Sequence, residues 1–253
     1  PRRLPSSSFS PSMAARTSRL VPDGALVLGL GDMAYPLADA RALASCYEPT
    51  WGRHRALTLA TPGNHDYVRG NAGDFSKYFG VDEPNEGGFI AFTRALTEDW
   101  RLIALDSNVD GSALQAQYDW LDRLFAEDAK AAARTPGCLL VMWHAPLYSS
   151  GFHRGSGDKM RPLWQLLDRQ GADLVLSGHE HFYERFDPLD ADGRPPGDGE
   201  ALSLKARLER LVAVAAVKET ERRGPTPVPL EELVEGDRAG ERFWCVLTSA
   251  CDQ

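Results

Sequence analysis

Two histidines separated by one residue follow an apolar run in the second half of the chain. The run ADLVL leads into GHEHFYERF, which contains His179 and His181. In an extended segment, side chains at positions i and i+2 point to the same side, so both imidazoles face one space. Neutral imidazole binds metal ions, and its ordinary pKa of about 6.5 makes the neutral form common at pH 7. The pair alone is equally typical of a surface loop, so the rest of the sequence must decide its role.

Three other apolar runs end in short loops with glycine and metal-ligand residue types, namely GDMAY, GNHD and WHAP. Four of the six histidines of the chain lie in these loops and in GHEH, and His153 follows soon after WHAP. Oxygen and nitrogen donors without thiolate are typical of iron, manganese or zinc sites rather than of structural cysteine–zinc sites. The loop residues able to bind or act on a ligand are Asp32, Tyr35, Asn64, His65, Asp66, His144, His179 and His181.

This set of residue types can support two-metal chemistry. A carboxylate such as Asp32 can bridge two cations, and cations about 3.5–4 Å apart can hold a phosphoryl group and activate a water. A neighbouring histidine that is not a ligand can protonate the leaving oxygen. We predict that His65 has this role and that Asp66 orients it.

The elements around these loops indicate an α/β layered fold. Apolar strands alternate with segments of helical periodicity, and the ligand site of open α/β sheets lies beyond the carboxyl ends of the strands. The four loops are therefore expected to converge. The predicted strands lie within 25–32, 55–66, 87–96, 99–108, 137–146 and 172–181, and the predicted helices within 37–51, 112–133 and 158–172.

Composition restricts the partners. The 253 residues are 43% hydrophobic and 25% charged, which is typical of a globular protein. The net charge of −8 argues against non-specific nucleic-acid binding. No apolar run approaches the roughly 20 residues of a membrane helix, and no signal peptide is recognisable. We therefore expect a small-molecule substrate, no nucleic acid and no membrane, whereas the oligomeric state stays open.

The ordered motifs GDMAY, GNHD, VMWH and GHEHFYER resemble the calcineurin-like metallophosphoesterase superfamily. The tyrosine of GDMAY and the YER after GHEH are similar to the purple acid phosphatase branch. The resemblance spans residues 25–187. It implies a β-sandwich of two mixed sheets flanked by helices, and hydrolysis of phosphomonoesters. It also implies a secreted or other non-cytosolic location.

The resemblance assigns the site residues to a centre of iron with a second iron, zinc or manganese ion. Asp32 would bridge the metals, and Tyr35 and His181 would bind the iron. Asn64, His144 and His179 would bind the divalent ion. The remaining residues, His65 with Asp66 and His153, would be catalytic.

Both ends of the chain depart from this pattern. The family has an earlier strand that ends in an aspartate ligand to iron, but Asp23 is the only aspartate before Asp32. Loss of that strand would leave an exposed sheet edge. Residues 1–24 are predicted to be disordered or divergent, 25–190 to form the metallophosphoesterase domain, and 191–253 to form a divergent end.

The divergent C-terminal end is predicted to contain a helix, a proline-rich loop and a last strand. The helix would extend through Leu204, Leu208, Leu211, Val212 and Ala215.

Three functions agree with the sequence. The first is an acid phosphatase that acts on phosphomonoesters. The second is a phosphodiesterase or nucleotidase with the same metal site, because the sequence does not define the walls of the pocket. The third is an incomplete, inactive homologue that binds metal or phosphate without turnover, because one aspartate ligand is absent.

Overall fold

A computed structural model describes most of residues 11–194 and three short strands beyond them. The described residues are 11–22, 24–68, 70–81, 87–130, 137–153, 155–181, 184–186, 189–194, 212–215, 228–229 and 244–245. The two central sheets are both mixed, as the family resemblance implies.

The first sheet has four strands and contains the strands that precede GDMAY and GNHD. They are β1 (Val27–Gly29), β2 (Thr58–Ala60), β9 (Val228–Pro229) and β10 (Trp244–Cys245). Their order is β2-β1-β10-β9, with β1 parallel to both β2 and β10. The loops after β1 and β2 therefore leave the sheet at the same edge.

The second sheet has six strands and contains those that precede WHAP and GHEH. They are β3 (Phe92–Ala95), β4 (Trp100–Ala104), β5 (Cys138–Trp143), β6 (Leu174–Ser177), β7 (Glu184–Arg185) and β8 (Val212–Ala215). Their order is β3-β4-β5-β6-β8-β7, and the four central strands are parallel. Parallel strands buried on both faces require the continuous apolar runs seen in LLVMW and DLVLS.

The main core lies between the two sheets. Leu28 and Leu30 of the first sheet belong to one buried cluster with Leu102, Leu140 and Leu176 of the second. Each of these leucines is at most 4% exposed. Burial of one such side chain contributes about 1.5–3 kcal/mol, so this contact fixes the two sheets, and hence the four loops, against each other.

Helices cover the outer faces of both sheets. Helix α5 (Gly111–Lys130) and helix α6 (Arg161–Arg169) pack on the second sheet, where Leu121, Trp164 and Leu167 contact the strands. The first sheet is covered by α1 (Pro11–Ser18), by α2 (Ala40–Ala42), which continues through a π-helical turn (Leu43–Tyr47) into α3 (Glu48–Thr50), and by α4 (Gly73–Phe79). Helix α6 ends before Gly171, which has a φ of 73°, as the glycine predicts.

Residues 11–18 belong to the segment predicted to be disordered or divergent, and they form helix α1, in which Thr17 and Ser18 are buried. Two other predictions about the ends of the chain are wrong. Strand β1 has no exposed edge, because β10 supplies hydrogen-bond partners on the open side. The predicted C-terminal helix is wrong at Val212–Ala215, which extend the second sheet beside β6. The other part of that helix, with Leu204, Leu208 and Leu211, lies outside the described residues, as does Asp23.

The last predicted strand includes β10. Within the described part of the chain, no helix is both long enough and apolar enough to cross a bilayer.

Candidate metal centre

The four loops meet at one edge of the sandwich. Gly178 N–H donates to the carbonyl of His144 at 2.7 Å, which joins the loops after β5 and β6. Asp32 N–H donates to Asp66 Oδ2 at 2.8 Å, which joins the loops after β1 and β2. The structure therefore brings together the residues that the sequence places at the ends of four separate strands.

One group of ligand atoms surrounds the Nε2 atom of His144. It lies 3.1 Å from Asn64 Oδ1, 3.1 Å from His179 Nδ1 and 3.3 Å from Asp32 Oδ2. Ligands at about 2.1 Å from a shared ion, at right angles to each other, are themselves about 3.0 Å apart. The donor types and separations fit a divalent metal ion, and three of these residues, Asp32, His144 and His179, form a compact candidate cluster.

A second group lies on the other side of Asp32. Tyr35 donates its hydroxyl proton to Asp32 Oδ2 at 2.8 Å, and the same hydroxyl lies 3.3 Å from His181 Nε2. Oδ2 of Asp32 is thus shared by both groups, which is the position that a bridging carboxylate requires. His179 and His181 belong to different groups, although they are two residues apart.

Hydrogen bonding orients His144 for metal binding. Its Nδ1 lies 2.7 Å from the carbonyl oxygen of Leu30. A carbonyl can only accept, so Nδ1 bears a proton, and Nε2 faces Asp32, Asn64 and His179, where its lone pair would bind a metal ion. This partner is a backbone atom, so the residue types in the sequence do not reveal it.

The electrostatics of the group favour anionic Asp32 beside neutral His179. Burial opposes ionisation of Asp32, but His144 and several hydrogen bonds hold its pKa below the usual range. Burial, followed by repulsion from His144, lowers the pKa of His179 to about 4. His179 is therefore neutral at pH 7, which is the form that binds metal.

Unusual backbone conformations place two of the candidate ligands. Asp32 has a φ of 54° and His179 a φ of 70°, which are uncommon for residues other than glycine. Such conformations concentrate at functional sites, where the surrounding structure enforces them. Gly63 permits the close approach of two loops, because a Cβ there would lie 2.2 Å from Asp32 Oδ1 and 2.4 Å from Asp32 N.

Asp66 does not orient His65, so that prediction is wrong. The buried Oδ2 of Asp66 accepts hydrogen bonds from the backbone N–H groups of Asp32 and Gly63, at 2.8 and 2.7 Å. Burial and then the charge of Asp32 raise the pKa of Asp66 to about 7. Oδ2 of Asp66 instead joins the loops after β1 and β2, because it accepts a backbone N–H group from each of them.

The two predicted catalytic histidines flank the ligand groups. His65 Nδ1 donates to the carbonyl of Pro36 at 2.7 Å, and its ring centroid lies 4.3 Å from that of Tyr35. The ring centroid of His153 lies 5.3 Å from that of His179 and 5.0 Å from that of His181. Both rings are beside the predicted ligands, and their catalytic roles stay predictions.

The family model for calcineurin-like phosphoesterases matches residues 15–183, which is more than half of the chain. The chain belongs to the calcineurin-like phosphoesterase family. Acid phosphatase type 7 of Homo sapiens is 27% identical over 186 residues, which cover 64% of this chain and 41% of the human protein. Purple acid phosphatase 22 of Arabidopsis thaliana is 38% identical over 86 residues, which cover 33% of this chain and 19% of the plant protein. The chain thus spans less than half the length of these relatives.

Solved structures share the fold of this chain at low sequence identity. A dimetal phosphatase from Danio rerio superposes with a TM-score of 0.52 at 13% identity, covering 82% of this chain and 76% of that one. GAP50, the anchor in the inner membrane complex of Plasmodium, has a TM-score of 0.54 at 13% identity, covering 85% and 72%. The second neighbour is described as an anchor, so the shared fold alone does not establish activity.

Asp106 stabilises the GNHD loop through buried hydrogen bonds, a role that the sequence did not indicate. It is fully buried and accepts hydrogen bonds from the Tyr67 hydroxyl, from Ile90 N–H at 3.2 Å and from Asn108 N–H at 2.9 Å. Asn108 Nδ2 in turn donates to the carbonyl of Pro62 at 2.8 Å. The network fixes both ends of the GNHD loop. The only sequence signal was a carboxylate at the end of an apolar strand.

Proposed function

We propose that the chain hydrolyses phosphomonoesters at a centre of two metal ions, one of them iron. The observation that supports this most strongly is the shared Asp32 carboxylate. Its Oδ2 lies 3.3 Å from His144 Nε2 in one ligand group and accepts the Tyr35 hydroxyl at 2.8 Å in the other. One anionic oxygen between two sets of nitrogen and oxygen donors is the arrangement that a metal pair requires.

The chain would hold the two ions with different residues. Asn64, His144 and His179 with Asp32 suit a divalent iron, zinc or manganese ion, and Tyr35 and His181 with Asp32 suit the harder ferric ion. Bound there, the two cations would neutralise the phosphoryl oxygens and supply a nucleophilic water near neutral pH.

The histidines beside the centre would stabilise charge and transfer protons. The Nδ1–H of His65 is held by the Pro36 carbonyl, so its Nε2 is free to donate a proton to the leaving oxygen when the ring is protonated. His153 is exposed and lies beside His179 and His181, where it can hydrogen-bond a phosphoryl oxygen. The substrate would therefore lie between the two rings.

The composition of the second ligand group favours a competing proposal, in which the chain is a homologue that binds one metal ion and does not hydrolyse a substrate. Within the described residues this group consists of Asp32, Tyr35 and His181, one carboxylate fewer than the family resemblance implies. An open coordination position can be filled by water, so three protein ligands are compatible with catalysis.

The non-cytosolic location stays a prediction, and one observation supports it. Cys46 is disulfide-bonded, and disulfides persist mainly in oxidising compartments. We expect mass spectrometry of protein alkylated before reduction to find Cys46 unmodified. Complete alkylation of Cys46 without reductant would contradict this.

The test of the proposed function is turnover of the metal-loaded chain on p-nitrophenyl phosphate and on bis(p-nitrophenyl) phosphate. A higher kcat/KM on the monoester supports the proposal, and a higher value on the diester favours the phosphodiesterase. His179→Ala should abolish turnover and remove one metal ion, because each ligand is needed. His54→Ala is the matched control, because His54 lies outside the site and contacts the Ser18 carbonyl. Metal loading without turnover on either substrate would favour the inactive homologue.

A further inference from the structure

Glu180 separates the two histidines of GHEH and is 1% exposed. A buried carboxylate needs hydrogen-bond donors, and Glu180 obtains them from a different loop. Its Oε2 accepts the backbone N–H of His153 at 3.1 Å, and its Oε1 accepts that of Gly155 at 3.0 Å. Both oxygens of one side chain therefore bind the segment that contains His153.

The base of this segment is closed independently of Glu180. Ser156 N–H donates to the Pro146 carbonyl at 2.7 Å. Gly155 has a φ of 57°, and a Cβ there would lie 2.1 Å from the same oxygen. The segment from Pro146 to Ser156 is thus a closed loop, and Glu180 determines where its His153 end lies.

Glu180 holds His153 at the position that the proposed substrate site requires. His153 is exposed, and the ring contacts described for it are with Phe152, His179 and His181. Side-chain packing alone would leave such a residue free to move. The two backbone hydrogen bonds to a fixed carboxylate restrict the Cα of His153, and hence the distance of its ring from the ligand groups.

We propose that Glu180 is a positioning residue that holds His153 over the metal centre through the backbone N–H groups of His153 and Gly155. The inference rests on the proposed function, since it gives Glu180 a part in phosphoester binding. It also makes a structural claim that does not depend on turnover. The Glu180 side chain links the loop after β6 to the loop after β5. One residue therefore fixes the position of the substrate-side histidine relative to the metal ligands.

The test is Glu180→Gln in the metal-loaded chain. Glutamine keeps the volume, but its NH2 group faces one of the two N–H donors, so one hydrogen bond is lost and the other weakened. We expect amide hydrogen exchange at His153 and Gly155, resolved by residue, to become about tenfold faster or more, since the bonds to Glu180 protect these two amides. We also expect KM for p-nitrophenyl phosphate to rise while metal content stays constant.

Glu184→Gln is the matched control. Glu184 also accepts a backbone N–H of this loop, that of Ser150 at 3.0 Å, but it makes no described contact with His153. Its substitution should leave exchange at His153 and Gly155 unchanged. The double variant of Glu180→Gln with His153→Ala should have the KM of His153→Ala alone, because a positioning residue has no effect once its target is absent.

Three results would overturn the inference: unchanged exchange in Glu180→Gln, additive effects on KM in the double variant, or loss of metal in Glu180→Gln. If the unaltered chain has no turnover, the proposed hydrolase fails, and the exchange comparison still decides whether Glu180 holds the loop.

Discussion

Gly63→Ala should disrupt the centre without removing any ligand. The backbone of Gly63, with φ −102° and ψ 178°, is accessible to alanine, so the effect comes from collision alone. The new Cβ would lie 2.2 Å from Asp32 Oδ1 and 2.4 Å from Asp32 N. Relief of these contacts requires the GDMAY and GNHD loops to separate by about 1 Å, since ordinary contacts begin beyond 3 Å.

The expected magnitude follows from this displacement. Overpacking of this kind costs about 1–3 kcal/mol, which for a chain of this length lowers Tm by roughly 2–12 °C. Metal–ligand distances tolerate only about 0.2 Å, so a shift of Asp32 should weaken metal binding by about 100-fold or more.

The assay is metal content after dialysis against a weak chelator, together with Tm of the metal-free protein. Gly73→Ala is the matched control, because Gly73 begins α4 and the atoms nearest to its Cβ would be those of the Asn71 side chain, at 3.1 Å or more. This variant should keep both metals and a Tm close to that of the unaltered chain. Unchanged metal affinity in Gly63→Ala would refute the view that the close approach of the two loops sets the ligand positions.

Three further predictions follow from the site. His65→Ala should keep both metals and lower kcat by about 10²–10⁴, the usual effect of losing a general acid; metal loss in this variant, measured by elemental analysis, would make His65 a ligand. Burial raises the pKa of Asp106 above its ordinary 3.8, despite hydrogen bonds from Tyr67 and Asn108 that lower it. The native state therefore binds the Asp106 proton more tightly than the unfolded state does. The resulting contribution to the free energy of unfolding is complete below pH 3.8 and is lost as pH rises through the pKa of the folded state. Since asparagine resembles the neutral acid, the Tm advantage of the unaltered chain over Asp106→Asn should shrink between pH 4 and pH 8, and a constant difference would contradict this. Removal of metal by a strong chelator should cost about 2.7 kcal/mol of stability at a metal concentration 100 times Kd, and a Tm that does not respond to chelation and readdition would count against a metal centre.

The sequence predicted the convergence of the four loops because the signal of each loop is local. Apolar runs that end in glycine and ligand residues define both a strand and the edge where it ends, and the parallel pairing of β1 with β2 and of β5 with β6 brings these ends together. The core leucines that hold the two sheets against each other lie in the same apolar runs.

The sequence did not predict the hydrogen-bond partners that orient these residues. His144 and His65 are held by the backbone carbonyls of Leu30 and Pro36, and Asp66 and Glu180 accept backbone N–H groups. Backbone groups are present at every position, so the residue type gives no indication of which one is used. Long-range pairing was also missed: β10 protects the edge of β1 from a position more than 200 residues away.

Metal stoichiometry of the purified chain, measured by elemental analysis, tests the central claim most directly. We predict two metal ions per chain, one of them iron, because Asp32 is shared between the group of His144 and the group of Tyr35. One ion per chain, or none, under conditions that load both sites of a complete relative, would contradict the proposed two-metal centre.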